Sequence, residues 1–198
     1  MNNITPEEQW SENVVIVDGD YVDRVAFDLT VNFERMLERR IPKADMARWL
    51  DCVVLDGGLR EGDNTIQVVL LHDKSNARLE NFEPADYEKE LDGKAFKDSL
   101  GEFVLNSFAV EKLRSKEDHL LDILELVCQQ PKVKRVMIVP DAENMYDPVR
   151  HALRNVSDEK RVTIFAMQPM AGGNFRQEIL GYSLMQALGI RGEELNKL

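Results

Sequence analysis

Val14-Val15-Ile16-Val17 runs straight into Asp18-Gly19-Asp20, and Val136-Met137-Ile138-Val139 runs through Pro140 into Asp141-Ala142-Glu143. An apolar run this short and this rich in β-branched residues reads as a strand buried on both faces, the state of the central strands of a parallel sheet. Each acid pair then falls where a strand ends, and ligands of open α/β sheets gather outside those carboxyl ends. Gly19 lets the chain turn sharply between its two acids. Pro140 cannot donate a ladder hydrogen bond, so the second strand must stop there. If the two strands are parallel neighbours, four carboxylates meet at one sheet edge. Carboxylates that close repel, and they need a cation, a shared proton or a basic partner. The plainer use of Asp18 or Asp20 is to cap the helix after them.

The remaining pattern alternates helices and strands. After Asp20 an amphipathic helix carries Val22, Val25, Ala26, Leu29, Phe33, Met36 and Leu37, and Ile41-Pro42 breaks it. A second helix begins near Ala44 and ends at Gly57-Gly58. Strands follow at 65–71, 103–110 and 161–167, with a helix from Glu117 to Cys128. Residues 73–101 read as a charged, irregular excursion that holds at most one short helix, anchored by Phe82, Tyr87 and Phe96. After Gly172-Gly173-Asn174, a last helix runs from Phe175 to about Leu188, so residues 174–198 form a C-terminal helix and tail. Alternation of this kind predicts an α/β fold, three layers α/β/α around a mostly parallel sheet. The 198 residues suit a single domain.

Composition excludes several classes. No window approaches the ~18 apolar residues of a membrane span, and the first residues lack the basic and apolar regions of a secretory leader. A cytoplasmic protein is the expectation. Cys52 and Cys128 read as isolated reduced core thiols, and His72, His119 and His151 show no metal-ligand spacing. A net charge of −11 opposes passive binding to nucleic acid. Two basic clusters stand against it: Arg35, Arg39, Arg40 and Lys43, and Lys132, Lys134 and Arg135. Each could track phosphate, but a cation-rich helix end and a solvated loop are the simpler readings.

In the helix from Glu117, Asp118 and Asp122 are four residues apart and share a face. A solvated acidic face accounts for them. Yet this helix feeds through Pro131 into the strand ending at Asp141, which brings its amino end to the acid-bearing edge.

Ile16-Val17-Asp18-Gly19-Asp20, Lys116-Glu117-Asp118-His119-Leu120-Leu121-Asp122 and Arg135 through Asn144 together resemble the NYN domains of the PIN-like nuclease superfamily. The resemblance runs from Val14 to Met167. It implies a PIN-like fold whose acids hold Mg²⁺ or Mn²⁺ and cut RNA by metal-activated water, with RNA bound through the bridging metal. Carried over, Asp18, Asp118, Asp141 and Glu143 are the catalytic set, and Asp20 and Asp122 complete the metal ligands. The chain departs from the family pattern at Tyr21, Val139-Pro140, Glu143 and Asn144. Those departures leave open an inactive module that binds a partner or itself, in a homodimer through the apolar last helix. A third reading comes from Asp18-Gly19-Asp20 and Asp141 through Asp147, which resemble motifs of haloacid-dehalogenase-like phosphatases. Asp18 would then be the nucleophile and Asp20 the acid/base.

Overall fold

The computed structural model describes residues 10–111 and 113–198. At its centre lies β1 (Asn13–Asp18), every residue of which is buried. Val15 and Val17 face one core, and Val14 and Ile16 face the other, as strand alternation requires. The chain then continues through α1 (Gly19–Leu37), β2 (Ala44–Asp45), α2 (Met46–Asp56), β3 (Asn64–Asp73), β4 (Phe82–Glu83), β5 (Ala95–Asp98) and β6 (Gly101–Val110). Its second half comprises α3 (Lys116–Gln129), β7 (Arg135–Val139), α4 (Ala142–Ala152), β8 (Arg161–Ala166), β9 (Arg176–Ile179), α5 (Leu180–Ala187) and α6 (Gly192–Leu195).

Seven strands form the main sheet in the order β5-β6-β3-β1-β7-β8-β9, and all neighbours are parallel except β5 and β6. One core packs α1, α2 and α5 against the sheet, and the other packs α3 and α4. The fold is therefore the expected three-layer α/β/α arrangement. The strands fill one side of β1 with β3 and β6, then return to its other side with β7. This reversal puts the topological switch point, the usual ligand position in doubly wound sheets, between the carboxyl ends of β1 and β7. Asp18 and Asp141 flank it.

Two expectations are corrected. The last helix does not begin at Phe175, because Arg176–Ile179 pairs with β8 as an edge strand. Pairing along β8 overrides the helical periodicity that those residues share with α5. Nor is the 73–101 segment wholly irregular: it holds β4, a single π-turn over Tyr87–Leu91, and β5. Asp86 caps the π-turn through the Lys89 N–H, and Tyr87 and Leu91 are its buried anchors. Most of the apolar residues of α5 pack within the chain. Leu180, Leu184, Ala187 and Leu188 join the core with α2, and the Trp49 indole N–H donates to Ser183 Oγ at 3.1 Å. Among the large apolar side chains of α5, only Tyr182 is exposed. No helix among the described residues is long and apolar enough to cross a membrane.

Asp51 of α2 is half-buried beside Asp98 of β5, and its Oδ1 has no hydrogen-bond partner. Burial first, then the neighbouring Asp98 carboxyl, then the charge of Asp45 push the Asp51 carboxyl up from 3.8 to about 7. The folded state thus holds this proton more tightly than the unfolded state. Its contribution is complete below the unfolded value and is lost as pH rises through about 7. Asp51→Asn should flatten stability between pH 4 and 7 and exceed the parent at pH 8 by about 1 kcal/mol, after discounting for solvent screening. Urea unfolding across that range checks it; an unchanged slope contradicts it.

Candidate functional site

β1 ends at Asp18, which caps α1: the Tyr21 N–H donates to its Oδ1 at 3.1 Å. The capping role read from the sequence is therefore real. Gly19 comes next because nothing larger fits. A Cβ there would lie 2.3 Å from Tyr87 Oη and 3.0 Å from the Leu71 carbonyl. Asp20, in the first turn of α1, accepts from the Asp73 N–H at 2.7 Å and from Asn76 Nδ2 at 2.8 Å.

Between these carboxylates sits a cation. Lys116 Nζ lies 2.9 Å from Asp18 Oδ1 and 2.8 Å from Asp20 Oδ2, and the side chains of Lys116, Asp18 and Asp20 are 18%, 2% and 19% exposed respectively. Burial raises the Asp18 carboxyl above its usual range while Lys116 pulls it down. Burial alone would lower the Lys116 ammonium, but Asp18 and Asp20 outweigh it and hold it above its usual value. The group is thus an ammonium between two acids, with most solvent removed.

The placement of Lys116 is set by the helix. α3 starts after Ser115, whose Oγ accepts from the Asp118 N–H at 3.0 Å. Its buried residues are Leu120, Leu124, Val127 and Cys128, and Lys116 stands one turn before Leu120 on that same face. α3 covers the opposite face of the sheet from α1. The lysine therefore reaches over the end of β1 and joins the two helical layers.

The second acid pair is held separately. Asp141 precedes α4 without a capping bond from its side chain. Its Oδ2 accepts from Asn144 Nδ2 at 2.9 Å and lies 3.5 Å from Arg24 Nη2, while Oδ1 is buried with no partner. Glu143 is mostly exposed, 4.0 Å from the same guanidinium. Arg24 lies over the Tyr21 ring, 5.3 Å from its centroid. Burial first, then Glu143 and Asp141, push the Tyr21 phenol up to about 12.

The third pair stays outside. Asp118 and Asp122 are not buried, and Asp122 pairs with Arg114. The six carboxylates are thus three pairs with three different engagements. Among the described residues, no three His, Cys, Asp or Glu side chains gather as a metal cage. As arranged, this donor set does not fit the implied Mg²⁺ or Mn²⁺, because Lys116 fills the cation's place beside Asp18 and Asp20.

Lys116 and Arg24 are the site residues that the acid motifs did not single out. The signal for Lys116 was in the sequence: counting back in fours from Leu124 and Leu120 reaches position 116, and Asp118 and Asp122 lie ~200° further round the helix. Arg24 is one turn beyond Asp20 in the same way. Asn76 and the Asp73 N–H carry no comparable signal, since a loop brings them to Asp20.

Beside the lysine, a groove of about 560 Å³ opens between α1 and residues 75–81, lined in part by Asp20, Arg24, Phe27, Asn76, Arg78 and Tyr87. Asp23 fastens its far wall by accepting from the backbone N–H groups of Glu80 and Asn81. Phe27 and Val31 carry an exposed apolar strip onward along α1. Residues 7–195 match DUF6621, described as a family of unknown function. No curated protein and no solved structure matches the chain.

The tight contact at Gly19 gives a direct test of how the edge is packed. Gly19→Ala should cost about 1–3 kcal/mol. Tyr87→Phe removes an oxygen that has no partner; it should be near neutral alone and recover part of the loss in the Gly19→Ala background. Urea unfolding of the three variants decides it, and a Gly19→Ala protein as stable as the parent would contradict the packing.

Proposed function

We propose that this chain, which belongs to the DUF6621 family, is a PIN/NYN-like interaction module whose acid edge is neutralised from within, and not a working metal-dependent ribonuclease. The observation that carries this reading is Lys116 Nζ at 2.9 and 2.8 Å from Asp18 and Asp20. A hydrolytic metal must offer open coordination positions to water and to a phosphate oxygen. An ammonium supplies charge but no such positions, and it does not generate hydroxide. Removal of the acids' mutual repulsion is what it achieves. The net charge of −11 argues in the same direction, since RNA would reach this edge only across a bridging metal. In this reading the groove beside Arg24 and Arg78, with the exposed Phe27, is the surface left for recognition.

One observation favours a second reading. Lys116 lies ahead of the last acidic motif and contacts Asp18, as the resemblance to haloacid-dehalogenase-like phosphatases requires. Against it, that family closes a middle strand with a hydroxyl residue whereas β3 ends in His72-Asp73, and Asp18 Oδ1 is already engaged by the Tyr21 N–H and Lys116.

Calorimetric titration with Mn²⁺ and incubation with end-labelled single-stranded RNA test the proposal. The expected outcome is no saturable binding at millimolar Mn²⁺ and no cleavage. Metal binding and RNA cleavage that both disappear in Asp18→Asn would overturn it. Turnover of p-nitrophenyl phosphate that depends on Asp18 would instead establish the phosphatase reading.

A further inference from the structure

The amino-terminal edge of the sheet, far from the acids, carries a cluster of the opposite sign. Arg135 begins β7 and Arg161 begins β8, and the two are register partners on adjacent parallel strands. Arg176 begins β9, opposite Thr163. Alternation puts all three on the face of Met137 and Phe165, the side covered by α1, α2 and α5. Arg60, in the loop after α2, joins them with its Nη1 tied to the Leu59 and Leu55 carbonyls at 2.8 and 3.3 Å.

Arg135 is the centre of the group. Its Nε and Nη1 are buried and have no hydrogen-bond partner. Burial first, then repulsion from Arg161, Arg60 and Arg176, holds its guanidinium below its usual value. Among the described residues, none of these four arginines forms an ion pair. The acids of the same region, Asp56 and Glu178, repel one another, and burial and that repulsion push Asp56 up to about 6. In a chain of net charge −11, four guanidinium groups are thus gathered without carboxylate partners, around one whose donors are desolvated. Unmade hydrogen bonds to a buried charge are costly, and mutual repulsion adds to the cost. A bound anion offsets the repulsion and the unpaired charge.

We propose that this cluster is a binding site for a multiply charged phosphoryl anion, a di- or triphosphate group, held by the forks of Arg135, Arg161 and Arg176 with Arg60 at the rim. Planar guanidinium groups match phosphate oxygens two at a time, and several converging cations select a multivalent group. Exposed Arg60, Arg161 and Arg176 gather around the half-buried Arg135 at one end of three neighbouring strands, which suits a compact ligand better than a nucleic-acid strand, whose contacts run along a track. Lys132 and Lys134 are exposed nearby and supply attraction at longer range. The solvated loop expected for this stretch holds for the lysines and not for Arg135.

Thermal unfolding of the full chain with sodium tripolyphosphate, against chloride at matched ionic strength, reads the site by mass action. The expected result is a rise in Tm of several degrees at millimolar ligand. Arg161→Gln/Arg176→Gln should lose most of that rise, and Lys89→Gln/Lys94→Gln, in and just after the π-turn, should keep it. Arg135→Met should abolish the rise while increasing the Tm of the ligand-free protein, because it removes orphaned donors. ATP carries the same triphosphate: tighter binding than tripolyphosphate identifies a nucleotide, and equal or weaker binding identifies the free anion. The proposal is overturned by no rise in the parent, by equal rises in both double variants, or by single-stranded RNA binding more tightly than either probe.

Discussion

The ammonium of Lys116 between Asp18 and Asp20 is the interaction on which the carboxyl edge of this sheet depends. β1 delivers Asp18 to a nearly closed position, and the close fit at Gly19 leaves Asp20 beside it. Without a cation, two carboxylates at the end of a buried strand would repel in surroundings where solvent screens poorly. Lys116 comes from α3, on the other face of the sheet, so the ion triad also joins the two helical layers over the central strand. Such a triad is no proof of added stability, because desolvation offsets much of its attraction. Its strength lies in what removal of one partner would leave behind: an uncompensated charge in a closed site.

The distribution of charge along the strands then acquires a direction. The acids that end β1 and β7 are met by Lys116 and Arg24, one closely and one loosely. Arg24 reaches Asp141 only at 3.5 Å and leaves its Oδ1 without a partner. At the amino ends of β7, β8 and β9 the arginines have no such partners. The sheet therefore has one edge where opposite charges are matched internally and one where like charges are gathered and left to be matched from outside.

Much of this was legible in the residues. Two apolar runs ending in acids specified central parallel strands, and these are the neighbours β1 and β7. The alternation of elements specified the layers. Asp18 as a cap was also readable, because a strand-to-helix turn needs an acceptor there. The acids of α3 misled because spacing four shows only that Asp118 and Asp122 share a face, not which face. The phase of Leu120 and Leu124 decides that, and it turns Lys116 inward. The strand β9 was hidden because Arg176–Ile179 has no strong strand pattern of its own and takes its conformation from pairing with β8. Orphaned donors on Arg135 were out of reach as well, since they depend on which arginines the register brings side by side.

The central claim is that Lys116 and Asp18 act as a pair, and a double-mutant cycle measures that directly. Lys116→Met, Asp18→Asn and the double variant are compared with the parent by urea unfolding at neutral pH. A coupling of at least about 2 kcal/mol, with each single change more costly than additivity allows, is the result expected of a desolvated pair. Additivity within about 0.5 kcal/mol would contradict it and mean that the acids at this edge are held by something other than the lysine.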